Sequence, residues 1–348
     1  MHCNCPFFSR MIILYVSPAF WIGARGYNLF RYDVINKKWS YFSKLKDKKN
    51  ALLSSFFLTR RLFRAEITRL YRFRNDIWMC IAKKGIFRYD VKTNTFLKCR
   101  TVDRGARPMN LCQDTMGNIY YGEYYRNPER KEVHIYKTMN DGDTWQRAYT
   151  FPKGTINHIH GLFNDPYSEK LWVATGDEDS ACIFGYTEDG FRTFVAQYQG
   201  SQQYRICVPL FYKDFIVFAT DSQYKPNVIR KIDRKTGTIT DLQEIQGSGI
   251  YAVQIGNNAA ISTTVEPSII NTDKNSYLWF SPDGEHWKEV LHYRKDIWEK
   301  TYFQFGSIRF PIYEVSPELP YGHLIITGRA LRKLDGKSLV LSLQDVRR

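Results

Sequence analysis

The stretch KTMNDGDTWQRAYTF, residues 137–151, predicts two short strands joined by a tight turn. An Asp-Gly pair between alternating apolar residues is a common signal for a β-hairpin. The spacing Ser/Thr-x-Asp/Asn-x-Gly-x-Thr-Trp is carried by Thr138, Asn140, Gly142, Thr144 and Trp145. Such a turn occurs in many hairpins, so the fold depends on whether the pattern repeats.

Related hairpins recur along the whole chain. NLFRYDVINKKWSYF and GIFRYDVKTNTFLKC are close copies of each other, and looser copies follow. The equivalent strand positions are Phe30, Phe87, Tyr136, Phe184, Ile229, Leu278 and Leu331, which are 57, 49, 48, 45, 49 and 53 residues apart. Steps of about fifty residues are typical of propeller blades. The sequence therefore predicts an all-β protein, a β-propeller with four-stranded antiparallel blades in a single domain over 1–348, with seven blades favoured over six or eight.

Two segments lie outside the repeats. Residues 11–16 are apolar, and we expect them to supply a strand that closes the ring. Residues 51–64, ALLSSFFLTRRLFR, have apolar residues at helical spacing and a basic opposite side. We predict a short amphipathic helix between blades one and two that packs on the ring, with surface contact to a membrane or a partner as the alternative.

The net charge of +15 favours polyanionic partners. Nucleic acid is not expected, because the basic residues are dispersed outside 44–74. Seven cysteines lack the spacing of a zinc site, which predicts free thiols in a reducing, cytoplasmic compartment. Pro18 interrupts the apolar run of residues 9–24, so we predict no signal peptide, and no run approaches the roughly 18 apolar residues of a membrane span.

Three hairpins carry the pattern of the opening stretch, with decreasing completeness: 138–145, 187–194 and 281–287. In this respect the chain resembles the Asp-box (BNR-repeat) sialidase-like β-propeller superfamily. The resemblance implies that these turns are structural and lie on the face opposite the ligand site, so that Trp145 and Trp287 pack in the fold. The sialidase motif Arg-Ile-Pro is not reproduced, because two residues separate Ile206 from Pro209. The chain therefore does not resemble a sialidase proper.

In a propeller, the loops that leave the second strand of each blade and those that lead into the first strand open on one face. Carboxylates end four successive second strands: Glu123, Asp177, Asp221 and Glu266. Glycoside hydrolysis needs two such groups, one protonated as the acid and one ionised as nucleophile or base. Solvated loops are also rich in acids, so the alternative for each residue is ordinary surface exposure.

The first strands begin with residues of other chemistry. His158 and His160 lie two apart on a predicted strand, so both point to the same side. They are candidates for a general base, for a divalent metal site completed by Asp177, or for structural burial. Residues predicted to bind substrate are Arg107, Arg205, Gln304 and Arg329. Guanidinium groups bind carboxylates in a bidentate manner, which suits an acidic sugar.

These features favour an enzyme that hydrolyses an acidic oligo- or polysaccharide with the four carboxylates. The first alternative is a polysaccharide lyase in which His158 or His160 takes the proton, an arginine neutralises the uronate and Tyr251 protonates the leaving oxygen. The second alternative is a non-catalytic propeller that binds glycan or protein. Apart from a candidate metal, no cofactor is expected, because the chain has no Gly-rich phosphate loop, GxSxG or HExxH motif.

Overall fold

The computed structural model describes residues 7–8, 11–105, 107–314 and 322–347. These residues form a β-propeller of seven blades, which confirms the predicted fold class and the favoured number of blades. Strands are numbered in chain order from β1 (Phe7–Phe8). Successive strands of each blade are antiparallel, and the first strand is the innermost.

The strands of blades one to three are β2 (Ile12–Val16), β3 (Phe20–Arg25), β4 (Asn28–Asp33), β5 (Lys38–Leu45), β6 (Ile67–Phe73), β7 (Ile77–Ala82), β8 (Gly85–Asp90), β9 (Thr95–Thr101), β10 (Cys112–Gln113), β11 (Ile119–Gly122), β12 (Val133–Thr138) and β13 (Gln146–Phe151). Those of blades four to six are β14 (His158–Asn164), β15 (Leu171–Gly176), β16 (Ile183–Thr187), β17 (Val195–Gln199), β18 (Leu210–Phe211), β19 (Phe215–Ala219), β20 (Asn227–Asp233), β21 (Ile239–Ile245), β22 (Ser248–Ile255), β23 (Asn258–Val265), β24 (Asn275–Ser281) and β25 (Lys288–Arg294). The remaining strands are β26 (Gly306–Arg309), β27 (Ile312–Tyr313), β28 (His323–Arg329) and β29 (Ser338–Ser342).

Blade seven closes the ring with chain from both termini. It is formed by β26, β28 and β29, and β1 pairs antiparallel with β29 as the outermost strand. The prediction that 11–16 closes the ring was wrong, because β2 is the innermost strand of blade one. Leu331 was also wrongly assigned to a hairpin strand: it lies in the connection between β28 and β29. Phe8 secures the closure, because its ring meets Trp21 and Trp39 edge-on.

The hydrophobic core lies between the blades. One cluster joins blades four and five through Trp172, Phe184 and Phe218, and equivalent clusters join the other neighbouring pairs. Each sheet is therefore covered on both faces, which explains why β15 and β23 are buried at every residue instead of alternating. Sequence patterning in this ring consequently shows continuous apolar runs.

Successive antiparallel strands give the ring two distinct faces. Connections from the second to the third strand, and from the fourth strand to the next blade, lie on what we call the upper face. Turns between the third and fourth strands lie on the lower face. There the Thr138 hydroxyl accepts hydrogen bonds from the Gly142 amide, at 2.9 Å, and from the Asn140 amide. Trp145 is half-buried against Tyr121, so it packs in the fold as predicted.

The turns after β16 and β24 have the same arrangement. The Thr187 hydroxyl accepts from the Phe191 amide, and the Ser281 hydroxyl accepts from the Gly284 amide. Trp287 is half-buried and donates its indole N–H to the Gly284 carbonyl. The three turns thus share one hydrogen-bonding scheme on the lower face.

The segment between blades one and two is helical, but it forms two helices, α1 (Lys48–Ser55) and α2 (Phe57–Leu62), instead of one. The break falls at Phe56, whose backbone is extended. The expected apolar packing on the ring is slight: Ala51 packs partly buried against the core of blades one and two, and the buried side chains of the two helices are the polar Ser54 and Arg61. Two further helices are α3 (Lys300–Phe303) and α4 (Leu343–Arg347), and short 3-10 turns span Arg74–Asp76, Asp179–Ala181 and Gln202–Tyr204.

Cysteines in the described residues are free thiols: Cys80, Cys99, Cys112, Cys182 and Cys207. Cys3 and Cys5 lie outside the described residues, as do Ser9 and Arg10 of the apolar N-terminal run. The rest of that run forms β2 and β3 of blade one. In the part of the chain that the structure describes, no helix has the length and apolarity to cross a bilayer.

Candidate functional site

On the upper face, the inner ends of blades four to six bring together two histidines, two aspartates, a glutamate and an arginine. Among the predicted residues, His158, His160, Asp177, Arg205, Asp221 and Glu266 interact with one another. We call this group the acidic cluster. Residues at second-strand ends and at first-strand starts therefore meet on this face.

His158 and His160 begin β14, and a β-bulge at His160 leaves that residue unpaired with β15. Bulges beside sites re-aim side chains. The two rings are 5.1 Å apart between centroids. Gly176 makes room for them, because a Cβ there would lie 2.5 Å from Cε1 of His160.

Both imidazoles use Nδ1 on a backbone carbonyl and direct Nε2 towards Asp177. Nδ1 of His160 is 2.8 Å from the Ile206 carbonyl, and Nδ1 of His158 is 3.2 Å from that of Tyr125. The Nε2 atoms of His158 and His160 lie 3.6 and 4.0 Å from Oδ1 of Asp177. Nε2 of His158 is buried and has no hydrogen-bond partner among the described residues.

Both histidines are neutral at physiological pH. Burial and the neighbouring His160 lower the pKa of His158 to about 4. Burial also lowers the pKa of His160, despite the opposing charge of Asp221. A neutral imidazole that donates Nδ1–H to a carbonyl presents an Nε2 lone pair, which is the form that binds a metal. The donor set of two such nitrogens and one carboxylate oxygen, mutually within 4.8 Å, fits a divalent cation.

A second trio, His160, Cys207 and Asp221, has its ligand atoms equally close. Burial and the Asp221 charge raise the pKa of Cys207 well above its usual value, so the group is a thiol and not a thiolate. It lies 3.4 Å from Oδ2 of Asp221, to which it donates. The Nδ1 atom of His160 is already engaged by the Ile206 carbonyl. The first trio is therefore the better metal site.

Arg205 is committed to the protein itself. It donates to the carbonyl and to Oδ1 of Asp177, at 3.0 and 2.9 Å, and its Nε lies 3.5 Å from Oδ2 of Asp221. Its guanidinium is buried. These contacts make Arg205 a residue that positions two carboxylates, rather than one with a free guanidinium for substrate.

Glu266 differs from the two aspartates because Arg205 forms ion pairs with both of them, whereas no ion pair to Glu266 is found among the described residues. Its Oε1 accepts a 3.2 Å hydrogen bond from Gln223. Burial and the charge of Asp221 raise the pKa of Glu266 to about 7. A carboxyl group with this pKa can take or give a proton near neutral pH.

Tyr124 also lies in the acidic cluster, and the sequence analysis did not predict this residue. Its ring lies 4.4 Å from that of His158, between centroids. Burial raises its pKa and the charge of Asp221 adds to the rise, so the phenol stays protonated. The sequence signal for Tyr124 is its position directly after Glu123. Both residues follow β11, and either side chain of such an adjacent pair can face the centre of the ring.

Glu123 itself does not join the cluster. It is buried and accepts two hydrogen bonds from Arg104 and one from the His134 amide, the latter at 2.8 Å. None of the contacts described for it involves Asp177, Asp221 or Glu266. The structure therefore brings together three of the four predicted carboxylates, Asp177, Asp221 and Glu266.

The opposite side of the ring carries excess positive charge. Glu66 lies 3.1 Å from Arg329 and 3.7 Å from Arg309, and the charges of Arg107 and Arg60 also act on it. We call these four arginines with Glu66 the basic cluster. Burial lowers the pKa of Arg329 to about 10, and burial together with the Arg309 charge lowers that of Arg107.

Tyr251 belongs with the basic cluster and not with the histidines. The Arg309 and Arg69 guanidiniums lie 5.1 and 5.7 Å from its ring centroid. Gln304, which caps the end of α3, is buried, and its Nε2 has no hydrogen-bond partner among the described residues. Arg309, Arg69 and Glu66 were not predicted, because they lie within or before inner strands and carry no motif.

Comparison with known proteins identifies the fold. No protein-family model matches this chain, and a search of curated proteins gives no match. Among solved structures, an oligogalacturonate lyase from Vibrio parahaemolyticus is similar over 97% of this chain and 94% of its own, with a TM-score of 0.60 and 7% identity. An oligogalacturonate lyase in complex with manganese is similar over 94% of this chain and 87% of its own, with a TM-score of 0.57 and 8% identity.

Propellers of other kinds match equally well. The WD40 propeller domain of Doa1 covers 99% of this chain and 97% of its own length, with a TM-score of 0.57 and 8% identity. An extracellular domain from B. thetaiotaomicron has a TM-score of 0.57 and 10% identity over 97% of this chain. This chain spans 41% of the length of that domain. At such identities the likeness shows a β-propeller and nothing about activity.

Proposed function

We propose that this protein cleaves an acidic oligosaccharide by β-elimination, with a divalent cation held by His158, His160 and Asp177. The observation that carries the proposal is the pair of buried, neutral imidazoles whose Nε2 atoms face one carboxylate oxygen. The oligogalacturonate lyases among the similar folds, one of them with manganese, support the same substrate class.

A bound divalent cation would act as a Lewis acid on the uronate carboxylate, making the adjacent C–H more acidic. The histidines are then ligands, which replaces the earlier hypothesis that one of them is the base. Glu266 is the better base, because a pKa of about 7 leaves a large ionised fraction at neutral pH and a proton affinity suited to transfer.

With Glu266 as the base, the bonds that form and break can be named. The Glu266 carboxylate takes the proton from the carbon next to the uronate carboxylate, and the electron pair of that C–H bond forms a C=C bond. The C–O bond to the leaving sugar breaks, and its oxygen takes a proton from Tyr124, which is kept protonated by burial. Arg107, Arg309 and Arg329 of the basic cluster supply positive charge for acidic groups of the substrate, because one carboxylate, Glu66, faces all of them.

Hydrolysis is the second candidate, because Glu266 with its raised pKa beside Asp221 is also the pattern of an acid paired with a second carboxylate. The two reactions give different products. Elimination yields an unsaturated sugar that absorbs in the ultraviolet, whereas hydrolysis yields new reducing ends without that absorption.

The experiment incubates the protein with oligogalacturonate after chelation with EDTA and again with added Mn²⁺. We expect ultraviolet-absorbing product only with Mn²⁺, and a loss of at least about a hundredfold in His158→Ala. His286→Ala is the matched control, because His286 lies on the lower face and is exposed. New reducing ends without absorption would establish hydrolysis instead. Binding without either product would establish a non-catalytic propeller.

We also propose a superfamily and a cellular compartment for this protein. The shared hydrogen bonds of the three lower-face turns support membership of the Asp-box superfamily. The free thiols of the described residues support a reducing, cytoplasmic compartment.

A further inference from the structure

The helices α1, α2 and α3 leave a group of large apolar side chains in solvent. We call it the helical apolar surface, and its members are Leu52, Phe56, Phe57, Leu58, Leu62, Phe63, Ile297, Trp298 and Tyr302. Leu52 is 68% exposed and Phe56 is 61% exposed. Soluble proteins expose single apolar residues routinely, whereas a concentration of this kind marks an interaction site.

Contacts link part of this surface across two helices. The guanidinium of Arg61 lies 5.5 Å from the Phe57 ring centroid and 5.7 Å from that of Phe303. The Phe303 ring is in turn 4.9 Å from Trp298. A row of contacts therefore runs from α2 to α3, and Ile297 and Tyr302 flank its far end.

Polar contacts hold the helices while the apolar side chains point away. Arg61 is buried, pairs with Asp296 and donates to the Phe303 carbonyl at 2.8 Å. The Thr59 hydroxyl donates to the Leu53 carbonyl at 2.8 Å and ties α2 to α1. This anchoring explains why the apolar residues are presented outward instead of filling a gap in the ring.

The border of the surface is strongly basic. Residues 44–64 contain five exposed basic side chains, Lys44, Lys46, Lys48, Lys49 and Arg64, and one acid, Asp47, which is partly buried. Asp47 accepts from the Asn50 amide at the start of α1, so part of its charge is engaged there. On the α3 side, Glu299 and Lys300 offset one another.

We infer that the helical apolar surface docks the protein on an anionic lipid bilayer. Aromatic and leucine side chains enter the headgroup region, and the lysines and arginine at the border meet lipid phosphates and serine carboxylates. Helices of eight and six residues are too short to cross a bilayer, so the contact is peripheral. The connections that carry α1, α2 and α3 lie on the upper face, so docking brings that face towards the membrane.

The test is sedimentation of the whole protein with vesicles of phosphatidylcholine alone and of phosphatidylcholine mixed with phosphatidylserine. We expect binding to the mixed vesicles that weakens as salt is raised, and little binding to phosphatidylcholine alone. The double variant Phe56→Ser/Leu58→Ser is expected to bind at least about tenfold more weakly, because two exposed apolar anchors are removed. Thermal melting checks that the variant is folded, and its exposed positions leave the core unchanged.

The matched control is Ile35→Ser/Val91→Ser. These side chains are 84% and 79% exposed and lie in turns of the lower face. The control should bind as the unmodified protein does. Absence of binding to the mixed vesicles, or equal loss in the control, would overturn the inference. So would a dimer in light scattering that Phe56→Ser/Leu58→Ser converts to monomer, because a second copy would then cover the surface.

Discussion

The two ends of β14 carry ionisable groups in contrasting surroundings. At the lower end, buried Asp165 accepts two hydrogen bonds from Arg234, at 2.6 and 2.9 Å. It also accepts from the Tyr167 amide, the Ser168 hydroxyl and the Trp172 indole. At the upper end, the buried Nε2 atom of His158 has no hydrogen-bond partner among the described residues and faces Asp177 at 3.6 Å.

The lower group, around Asp165, makes its hydrogen bonds within the protein, whereas the acidic cluster at the upper end contains a buried polar atom without one. Burial alone would raise the pKa of Asp165, but the hydrogen bonds that begin with Arg234 outweigh it and lower the pKa. At His158 and Glu266 burial has the largest effect. It moves their pKa values to about 4 and about 7, which favours the neutral forms. A protein retains such unsatisfied groups where function requires them. Substitutions in the lower group and in the acidic cluster should therefore have contrasting effects on the free energy of unfolding.

The largest change in stability is expected from Asp165→Ala. The substitution leaves Arg234 and the Trp172 indole without their acceptor, and breaking a buried ion pair on one side costs about 3 to 5 kcal/mol. Urea unfolding would measure the fall in the free energy of unfolding. Asp241→Ala, which breaks a partly exposed pair with Arg230, serves as the control and should cost under about 1 kcal/mol. Equal losses in the two variants would show that the lower group is not a structural anchor.

The next effect has the opposite sign. Glutamate in the unfolded chain has a pKa of 4.5, and folding raises that of Glu266 to about 7. The folded state therefore binds this proton more tightly, and its stability falls as the pH rises from about 4.5 to 7. Glu266→Gln removes this cost and should stabilise the protein at pH 8 by about 3 kcal/mol, because each pKa unit of the rise is worth about 1.4 kcal/mol.

Thermal unfolding at pH 5 and pH 8 checks the prediction. The variant should melt close to the unmodified protein at pH 5 and above it at pH 8, because a neutral amide keeps the hydrogen bond from Gln223. A gain of the same size at both pH values would mean that the ionisation of Glu266 is not the cause.

The ring and part of the site were predictable because they depend on short-range patterns. A hairpin repeated at about fifty residues defines blades, and alternation along a strand brings His158 and His160 to one side. The closing strand β1 has two residues, too few to show any period. Which residue of an adjacent pair turns inward was also unpredictable: Tyr124 joins the cluster and Glu123 does not, because Arg104 binds Glu123.

The basic cluster lay beyond sequence reasoning for a different reason. Glu66, Arg309 and Tyr251 come from blades two, seven and six, and their proximity depends on the closure of the ring. The helical insertion illustrates a third case. Its apolar spacing predicted a helix that packs, yet the extended backbone at Phe56 splits it and leaves the apolar side chains exposed.

The smallest effect on stability is expected at Asp177, which contacts both histidines and the arginine of the acidic cluster at the upper end of β14. Its side chain is 39% exposed, and Arg205 keeps Asp221 as a partner when the carboxylate is lost. Asp177→Asn should therefore change the free energy of unfolding by no more than about 1 kcal/mol in the presence of EDTA. Added Mn²⁺ should stabilise the unmodified protein, by about 2.7 kcal/mol at a hundredfold excess over its Kd, and should stabilise the variant much less. Urea unfolding with EDTA and with Mn²⁺ measures both terms. If the variant loses as much stability in EDTA as Asp165→Ala does, the upper group is an anchor like the lower one, and the contrast between the two ends of β14 fails.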